Sequence, residues 1–178
     1  MLPIGPLMIE HRLIERMIKL IRELAAQAKS ETKIDPIFVD VAVDFIRIYA
    51  DRTHHGKEED ILFKDLQGKP LSEQDAVIMQ ELIDEHKFGR KTVAELVDAN
   101  EAYRNGDPNS LDTVLANLQS LADFYPEHII KEDKVFFPAS MEYLDATEKD
   151  RMLAEMWEFD RKMIHEKYTH IVENLEAL

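Results

Sequence analysis

The sequence predicts an all-α protein, an antiparallel up-down four-helix bundle with an additional C-terminal helix. Only 5 of the 178 residues are glycine, and the segments between breakers are rich in Leu, Ile, Glu, Lys, Arg and Ala, which favour helix. These breakers divide the chain into five predicted helices, at about 6–29, 36–66, 72–104, 109–137 and 148–176. Because the connections are short, successive helices should run antiparallel.

Local signals support the boundaries of the predicted helices. Pro36 suits the first turn of the second helix, where a missing N–H is tolerated. Ser72 and Thr147 each precede an aspartate by three residues, which resembles a capping box at the start of the third and fifth helices. The runs Gly-Lys-Pro at 68–70 and Asn-Gly-Asp-Pro at 105–108 are expected to close the second and third helices.

Three of the predicted helices place a histidine in their apolar seam. In the first helix His11 follows Leu7 by four residues, within a run of apolar residues spaced by three and four. This spacing is typical of a single buried helix face. His86 and His128 lie in the equivalent seams of the third and fourth helices, and Glu132 follows His128 by one turn. The sequence therefore directs three histidines and a carboxylate toward the core.

An internal repeat relates the two halves of the chain. The segments 54–63 (HHGKEEDILF) and 128–137 (HIIKEDKVFF) align without gaps, and both read H-x-x-K-E-(E/D). The shorter segments 10–12 (EHR) and 85–87 (EHK) also match, and each precedes its longer partner by a nearly equal distance. We interpret the chain as two similar helical hairpins, which predicts a bundle with approximate two-fold symmetry.

The spacing within the repeat points to metal binding. Four helical residues advance about 6 Å and turn about 40°, so an imidazole and a carboxylate at i and i+4 project from one face. One such pair is common on protein surfaces, but six potential ligands on four helices would be costly to bury without a cation. Imidazole and carboxylate together suit iron, manganese or zinc, and carboxylates commonly bridge two ions in bundle cores.

The repeated motifs resemble those of hemerythrin-like proteins of the HHE cation-binding type. The resemblance rests on EHR, HHGKEEDILF, DEHKFGR at 84–90 and HIIKEDKVFFP at 128–138, and it covers about residues 4–140. It implies a hemerythrin-like bundle that holds two metal ions, by preference iron, with zinc or manganese as alternatives. In that family pattern His11 and His54 would bind one ion, His86 and His128 would bind the other, and Glu58 and Glu132 would bridge them.

The second helix leaves an alternative open. Its apolar stripe centres nearer to His55 and Glu59 than to His54 and Glu58. The repeat spacing and the family motif both favour His54 and Glu58. We therefore predict these two as ligands and expect His55 to lie behind them.

Three further positions are also open. Oxygen-carrying hemerythrins place their acidic ligand five residues after the histidine, which here is Asp133, whereas the HHE pattern favours Glu132. The oxygen carriers have a second histidine one turn after the third-helix ligand, where this chain has Arg90. One metal therefore lacks a nitrogen ligand unless another residue supplies it. His165 in the last helix is either solvated or such a substitute.

Composition excludes several other classes of protein. Cysteine is absent, which excludes thiolate zinc sites, iron–sulfur clusters and a disulfide framework. The net charge of −14 disfavours nucleic acid and membrane surfaces as partners. Charged residues from position 10 onward interrupt any signal peptide or anchor. We therefore expect a cytoplasmic protein with a single domain over 1–178, its core at about 4–140 and its C-terminal helix at about 148–176.

The expected function is that of a metal-binding protein with a non-haem di-iron centre. It would bind oxygen, nitric oxide or iron for sensing, storage or stress protection, so its expected partner is a small diatomic ligand. The alternative is a di-iron redox enzyme of the peroxidase or oxidase type, in which Tyr49 or Tyr125 hydrogen-bonds a bound oxygen species. A third possibility is a helical module that uses zinc only for stability. The sequence does not predict an oligomeric state.

Overall fold

The computed structural model describes the backbone of residues 1–176 and the side chains of residues 1–163. Helix α1 is Ile4–Glu31. Helix α2 begins as Pro36–Phe45, continues through π-helical segments Ile46–His55 and Glu58–Phe63, and ends with the turn Lys64–Leu66. Helix α3 is Glu73–Arg104. Helix α4 begins as Ser110–Lys131, continues through π-helical Glu132–Phe136, and ends with Phe137–Ser140 and a 3₁₀ turn, Met141–Tyr143. Helix α5 is Ala146–Glu176.

This architecture confirms the predicted fold class. The part of the chain that the structure describes contains helices and no strand. Helices α1 and α3 each contact both α2 and α4, which gives a four-helix bundle, and α5 contacts α2.

Side-chain caps explain two of the predicted starts and correct a third. Asp35 accepts a hydrogen bond from the backbone of Ile37 at the start of α2, and Ser72 does the same for the backbone of Asp75 at the start of α3. The cap predicted at Thr147 is wrong by two residues. Asp145 and Glu148 bond reciprocally to each other's backbone N–H groups there, which is a capping box that begins α5 earlier.

Two apolar clusters fill the bundle, one on each side of a polar layer. The first cluster extends from Ile14 to Ala28 in α1 and includes Leu96 and Leu118. The second cluster includes Leu7, Leu82 and residues of α5. The predicted site residues lie between the two clusters along every helix of the bundle. A layer of polar side chains is therefore enclosed by apolar packing above and below.

The three π-helical segments occur at this polar layer. They contain His54, His55, Glu58 and Glu132. A π turn closes i→i+5 hydrogen bonds and so differs in angular spacing from an α turn, and such turns are frequent at functional sites. Within these segments the adjacent residues His54 and His55 are both buried.

Helix α5 packs against α2 at a glycine. A Cβ atom added to Gly56 would lie 2.8 Å from Cζ of Phe159, so the two helices approach closely there. Trp157 on the same helix is 51% exposed, so Phe159 and not the tryptophan makes this contact. The side chains of His165 and His170 lie outside the described residues.

We predict that Gly56→Ala destabilises the fold. Alanine normally stabilises a helix interior relative to glycine by about 1 kcal/mol, but here the added methyl must displace the Phe159 ring, and overpacking costs about 1–3 kcal/mol. The matched control is Gly89→Ala, where the nearest contact would be an ordinary 3.5 Å to Phe124. Urea unfolding of metal-free protein should show a loss at Gly56 and a gain at Gly89. Equal changes at both positions would contradict the close packing of α5.

Candidate metal centre

The structure brings the six predicted site residues together in the polar layer. All are buried. They come from all four helices of the bundle: His11 from α1, His54 and Glu58 from α2, His86 from α3, and His128 and Glu132 from α4.

The two glutamates lie at the middle of this group. Oxygens of Glu132 lie 3.1 Å from Nε2 of His11 and 3.2 Å from Nε2 of His128. Oxygens of Glu58 lie 3.6 Å from Nε2 of His54 and 3.3 Å from Nε2 of His86. Each carboxylate therefore faces one histidine from each hairpin, which is the placement that a bridging carboxylate requires.

A fifth histidine belongs to the same layer. His55 is 2% exposed, and its ring stacks on that of His86 with centroids 3.8 Å apart. Candidate ligand atoms form two groups, each within 4.8 Å: one of His55, His86 and His128, the other of His11, His54, Glu58 and Glu132. The expectation that His55 lies behind the ligands is therefore not what the structure shows. The apolar stripe centred on His55 was the sequence signal for its position.

The atoms of these seven residues that face the centre lack hydrogen-bond partners. Ten buried side-chain nitrogen and oxygen atoms have no partner within the described part of the chain, and nine of them belong to this cluster. These nine atoms are Nε2 of each of the five histidines and both carboxylate oxygens of Glu58 and Glu132. The tenth atom, Oδ1 of Asn100, lies outside the cluster. Buried polar atoms are normally paired. These nine converge as a set of donors suited to cations.

On the outer side, four of the histidines are held by carboxylates. The bonds from Nδ1 are His11 to Asp133 at 2.7 Å, His54 to Glu10 at 2.9 Å, His86 to Glu59 at 2.7 Å and His128 to Glu85 at 2.7 Å. Such a bond places the proton on Nδ1, orients the ring and leaves Nε2 free to bind a metal. His55 has a longer contact, 3.4 Å, to Asp51.

Each outer carboxylate is in turn held by a cationic side chain. The pairs are Asp133 with Arg12, Glu10 with Lys57, Glu59 with Arg90, and Glu85 with Lys131. This arrangement explains the repeated motif residues that are not predicted ligands. The outer carboxylates that bind the histidines are the glutamate of E-H and the last acid of H-x-x-K-E-(E/D). The lysine of the second motif pairs with the glutamate of the first.

The structure also places the two departures from the oxygen-carrier pattern. Asp133 binds the outer nitrogen of His11 and so does not lie among the centre-facing oxygens. Arg90 lies 2.8 Å from both Asp51 and Glu59. Where the oxygen carriers have a second histidine, this chain therefore has an arginine that pairs with the carboxylate of Glu59.

A comparison with known proteins agrees with this geometry. The sequence profile of the Hemerythrin HHE cation binding domain matches residues 2–140. The chain belongs to the hemerythrin HHE cation-binding family. No solved structure matches it. Helix α5 lies outside the matched residues.

Uncharacterized mycobacterial proteins are similar to this hemerythrin-family chain. One protein of Mycobacterium bovis and two of Mycobacterium tuberculosis are each 25% identical over 153 residues, which is 85% of this chain. The match covers 58% of each of these proteins, so the chain spans little more than half the length of the curated relatives it matches.

Within the described residues, no helix is both long enough and apolar enough to cross a membrane.

The buried carboxylates change the protonation of the histidines in the metal-free hemerythrin-like bundle. Burial lowers the pKa of His11, but the nearby carboxylates of Asp133 and Glu132 outweigh this effect and raise the pKa to about 10. Burial also lowers the pKa of His86, but the carboxylates of Glu132 and Glu58 outweigh this effect and raise the pKa to about 11. Burial and the neighbouring histidines lower the pKa of His55 well below its ordinary value. At neutral pH the metal-free centre therefore holds protons on His11 and His86, while His55 is neutral.

We predict that metal binding releases about two protons per chain at pH 7, because the raised pKa values of His11 and His86 keep both protonated until a cation replaces the proton. Titration calorimetry in buffers of different ionisation enthalpy measures this number. Affinity should increase with pH up to about 10. Without metal, the same two pKa shifts stabilise the fold fully below 6.5, and this stabilisation is lost as the pH rises through 10 to 11. Proton release near zero at pH 7 would contradict the assignment.

Glu132 and Asp133 are adjacent, and we predict opposite outcomes for them. Glu132→Ala removes a carboxylate that faces histidines of both groups, so occupancy should fall at both metal positions. Asp133→Ala removes only the outer support of His11. Asp133→Ala should leave both positions filled but lower the metal affinity of one of them by about 10–100-fold, which is the usual effect of losing such a support. Metal analysis and competition with a chelator distinguish the two, and the reverse order would identify Asp133 as the bridge.

Proposed function

We propose that this chain is a metal-binding protein with a non-haem di-iron centre that binds oxygen, nitric oxide or iron for sensing, storage or stress protection. The observation that carries the proposal is that nine unpaired buried donor atoms lie together in the polar layer and form two groups. In this proposal His11 and His54 hold one ion, and His55, His86 and His128 hold the other. Glu58 and Glu132 would supply oxygens to both ions.

The number of donors supports iron over zinc. The position of His55, His86 and His128 would receive three nitrogens and two bridging oxygens, whereas structural zinc is almost always bound by four ligands. Imidazole and carboxylate are ordinary ligands of iron, and manganese is the remaining alternative. Iron bound here would supply reversible one-electron redox chemistry and free coordination positions.

The two positions are unequal, which supports binding of a small ligand at one of them. The position of His11 and His54 has one histidine fewer. In the internal repeat the counterpart of His55 is Ile129, which is buried and has no donor atom. The position of His11 and His54 is therefore the one at which we expect an external molecule to bind.

Small cavities beside the centre suit a diatomic molecule. A cavity of about 160 Å³ is lined by His55, Gly89 and Tyr125 and so reaches the centre on the side of His55. Another of about 90 Å³ is lined by Ile129 and Tyr125 and contacts none of the seven site residues. Neither has room for a large organic substrate beside the metals. Tyr125 lines both cavities, and burial raises the pKa of its hydroxyl, which therefore stays protonated and able to donate a hydrogen bond.

The alternative function is a redox enzyme, and it is supported by the position of Tyr125, whose hydroxyl could hydrogen-bond a bound oxygen species. Of the two tyrosines named from the sequence, Tyr49 lines a separate groove with Glu10 and Asp160, while Tyr125 adjoins the centre. Absorption spectra of anaerobic iron-loaded protein before and after air would discriminate the two functions. A reversible change supports ligand binding, whereas oxidation that needs a reductant for each cycle supports an enzyme. The cytoplasmic location stays a prediction from the sequence.

We predict two metal ions per chain in protein produced with iron supplied, measured by elemental analysis. His55→Ile, which installs the residue type of its repeat counterpart, should make the two ions equally removable by a chelator, whereas the wild type should hold one of them more tightly. The control is Asn117→Ala, a buried polar residue three turns before His128 on α4. One ion or none in the wild type would refute the di-metal proposal. Full retention of both ions in His55→Ile would remove only His55 from the ligand set.

A further inference from the structure

Lys57 is fully buried, which is unusual for a lysine. Its Nζ atom binds two carboxylates, Glu10 of α1 and Asp160 of α5, the latter at 2.6 Å. Removing either partner of a buried ion pair leaves a charge that is poorly compensated. The environment of Lys57 therefore depends on a side chain from the helix outside the matched family region.

The internal repeat explains why this lysine needs a partner from α5. Its counterpart Lys131 also binds two carboxylates, Glu85 and, at 3.0 Å, Glu81. Glu81 lies one turn before Glu85 on α3. The corresponding position, one turn before Glu10 on α1, is Pro6, which has no carboxylate. In the first hairpin Asp160 occupies the role that Glu81 has in the second.

Asp160 is connected to the candidate metal centre by three successive contacts. It accepts a bond from Lys57, Lys57 donates to Oε1 of Glu10, and Oε2 of Glu10 lies 2.9 Å from Nδ1 of His54. The close approach of Phe159 to Gly56 fixes α5 against α2 one residue before Asp160. The position of this carboxylate is therefore determined by packing.

We propose that Asp160 is a positioning residue of the metal centre, and that α5 completes the support of His54 through Lys57 and Glu10. The inference rests on the proposed di-metal function. With two carboxylates sharing the charge of Lys57, Glu10 keeps one oxygen aligned with His54, which fixes the ring and makes it a better ligand. Loss of Asp160 weakens the metal position of His11 and His54 and leaves the position of His55, His86 and His128 unchanged.

The test compares Asp160→Asn with Glu158→Gln in full-length protein loaded with Co²⁺. Glu158 is a matched control because it also lies on α5 and pairs only with Arg161 within the described residues, at 3.5 Å. Release of Co²⁺ to a chelator and the visible absorption of bound Co²⁺ are both followed. In Asp160→Asn one of the two ions should be released about tenfold faster, the lower end of what loss of a ligand's support causes, and the spectrum of that ion should change. Glu158→Gln should match the wild type.

A second variant separates the role of the charge from simple docking of α5. In the double variant Pro6→Glu/Asp160→Asn, a carboxylate at the repeat counterpart of Glu81 should slow the release of Co²⁺ again. Release as fast as in the single variant would assign the effect to helix docking and overturn the proposal. So would equal release rates in Asp160→Asn and Glu158→Gln. Failure of the wild type to bind two ions would instead refute the di-metal function, so the two failures are distinguishable.

Discussion

The burial of two carboxylates in the middle of an apolar bundle is the constraint on which the rest of this structure depends. Glu58 and Glu132 are fully buried, and none of their oxygens has a hydrogen-bond partner among the described residues. An unpaired buried charge costs several kcal/mol even after relaxation. The five histidines around them offset this only in part, because a neutral imidazole whose proton lies on the outer nitrogen has none to donate toward the carboxylates. Cations at the centre satisfy both the carboxylates and the inward nitrogens.

From this centre, charges alternate outward to the surface. Carboxylates are surrounded by imidazoles, imidazoles by outer carboxylates, and these carboxylates by lysine or arginine. The outer cations Arg12 and Arg90 are 55% and 40% exposed, so there the alternation ends in solvent, whereas Lys57 is buried and is followed by Asp160. Every layer is thereby compensated by the next, which is how a polar section can cross an otherwise apolar bundle. The repeated motif encodes two of these layers in consecutive residues.

The two-fold repeat is broken at two places that bear on the proposed function. His55 has Ile129 as its counterpart, and this difference makes the two proposed metal positions unequal. Asp160 replaces a carboxylate that Pro6 cannot provide, and this difference gives α5 a place in the site. A perfectly symmetric bundle would offer two equivalent positions. The departures from symmetry distinguish a proposed position with three histidines from one with two.

The sequence by itself determined the helices, their approximate ends and the six residues that meet in the core, because helical periodicity and a repeated motif are local properties of the chain. It did not determine the place of His55. The α-helical spacing assumed for α2 is replaced by π-helical turns at the site, where His54 and His55 are both buried. Nor did it identify the partners of the outer carboxylates. Contacts such as Asp133 with His11 or Asp160 with Lys57 join residues more than 100 positions apart. Such pairings are decided by how the helices pack, since no local pattern specifies which side chains of different helices will face each other.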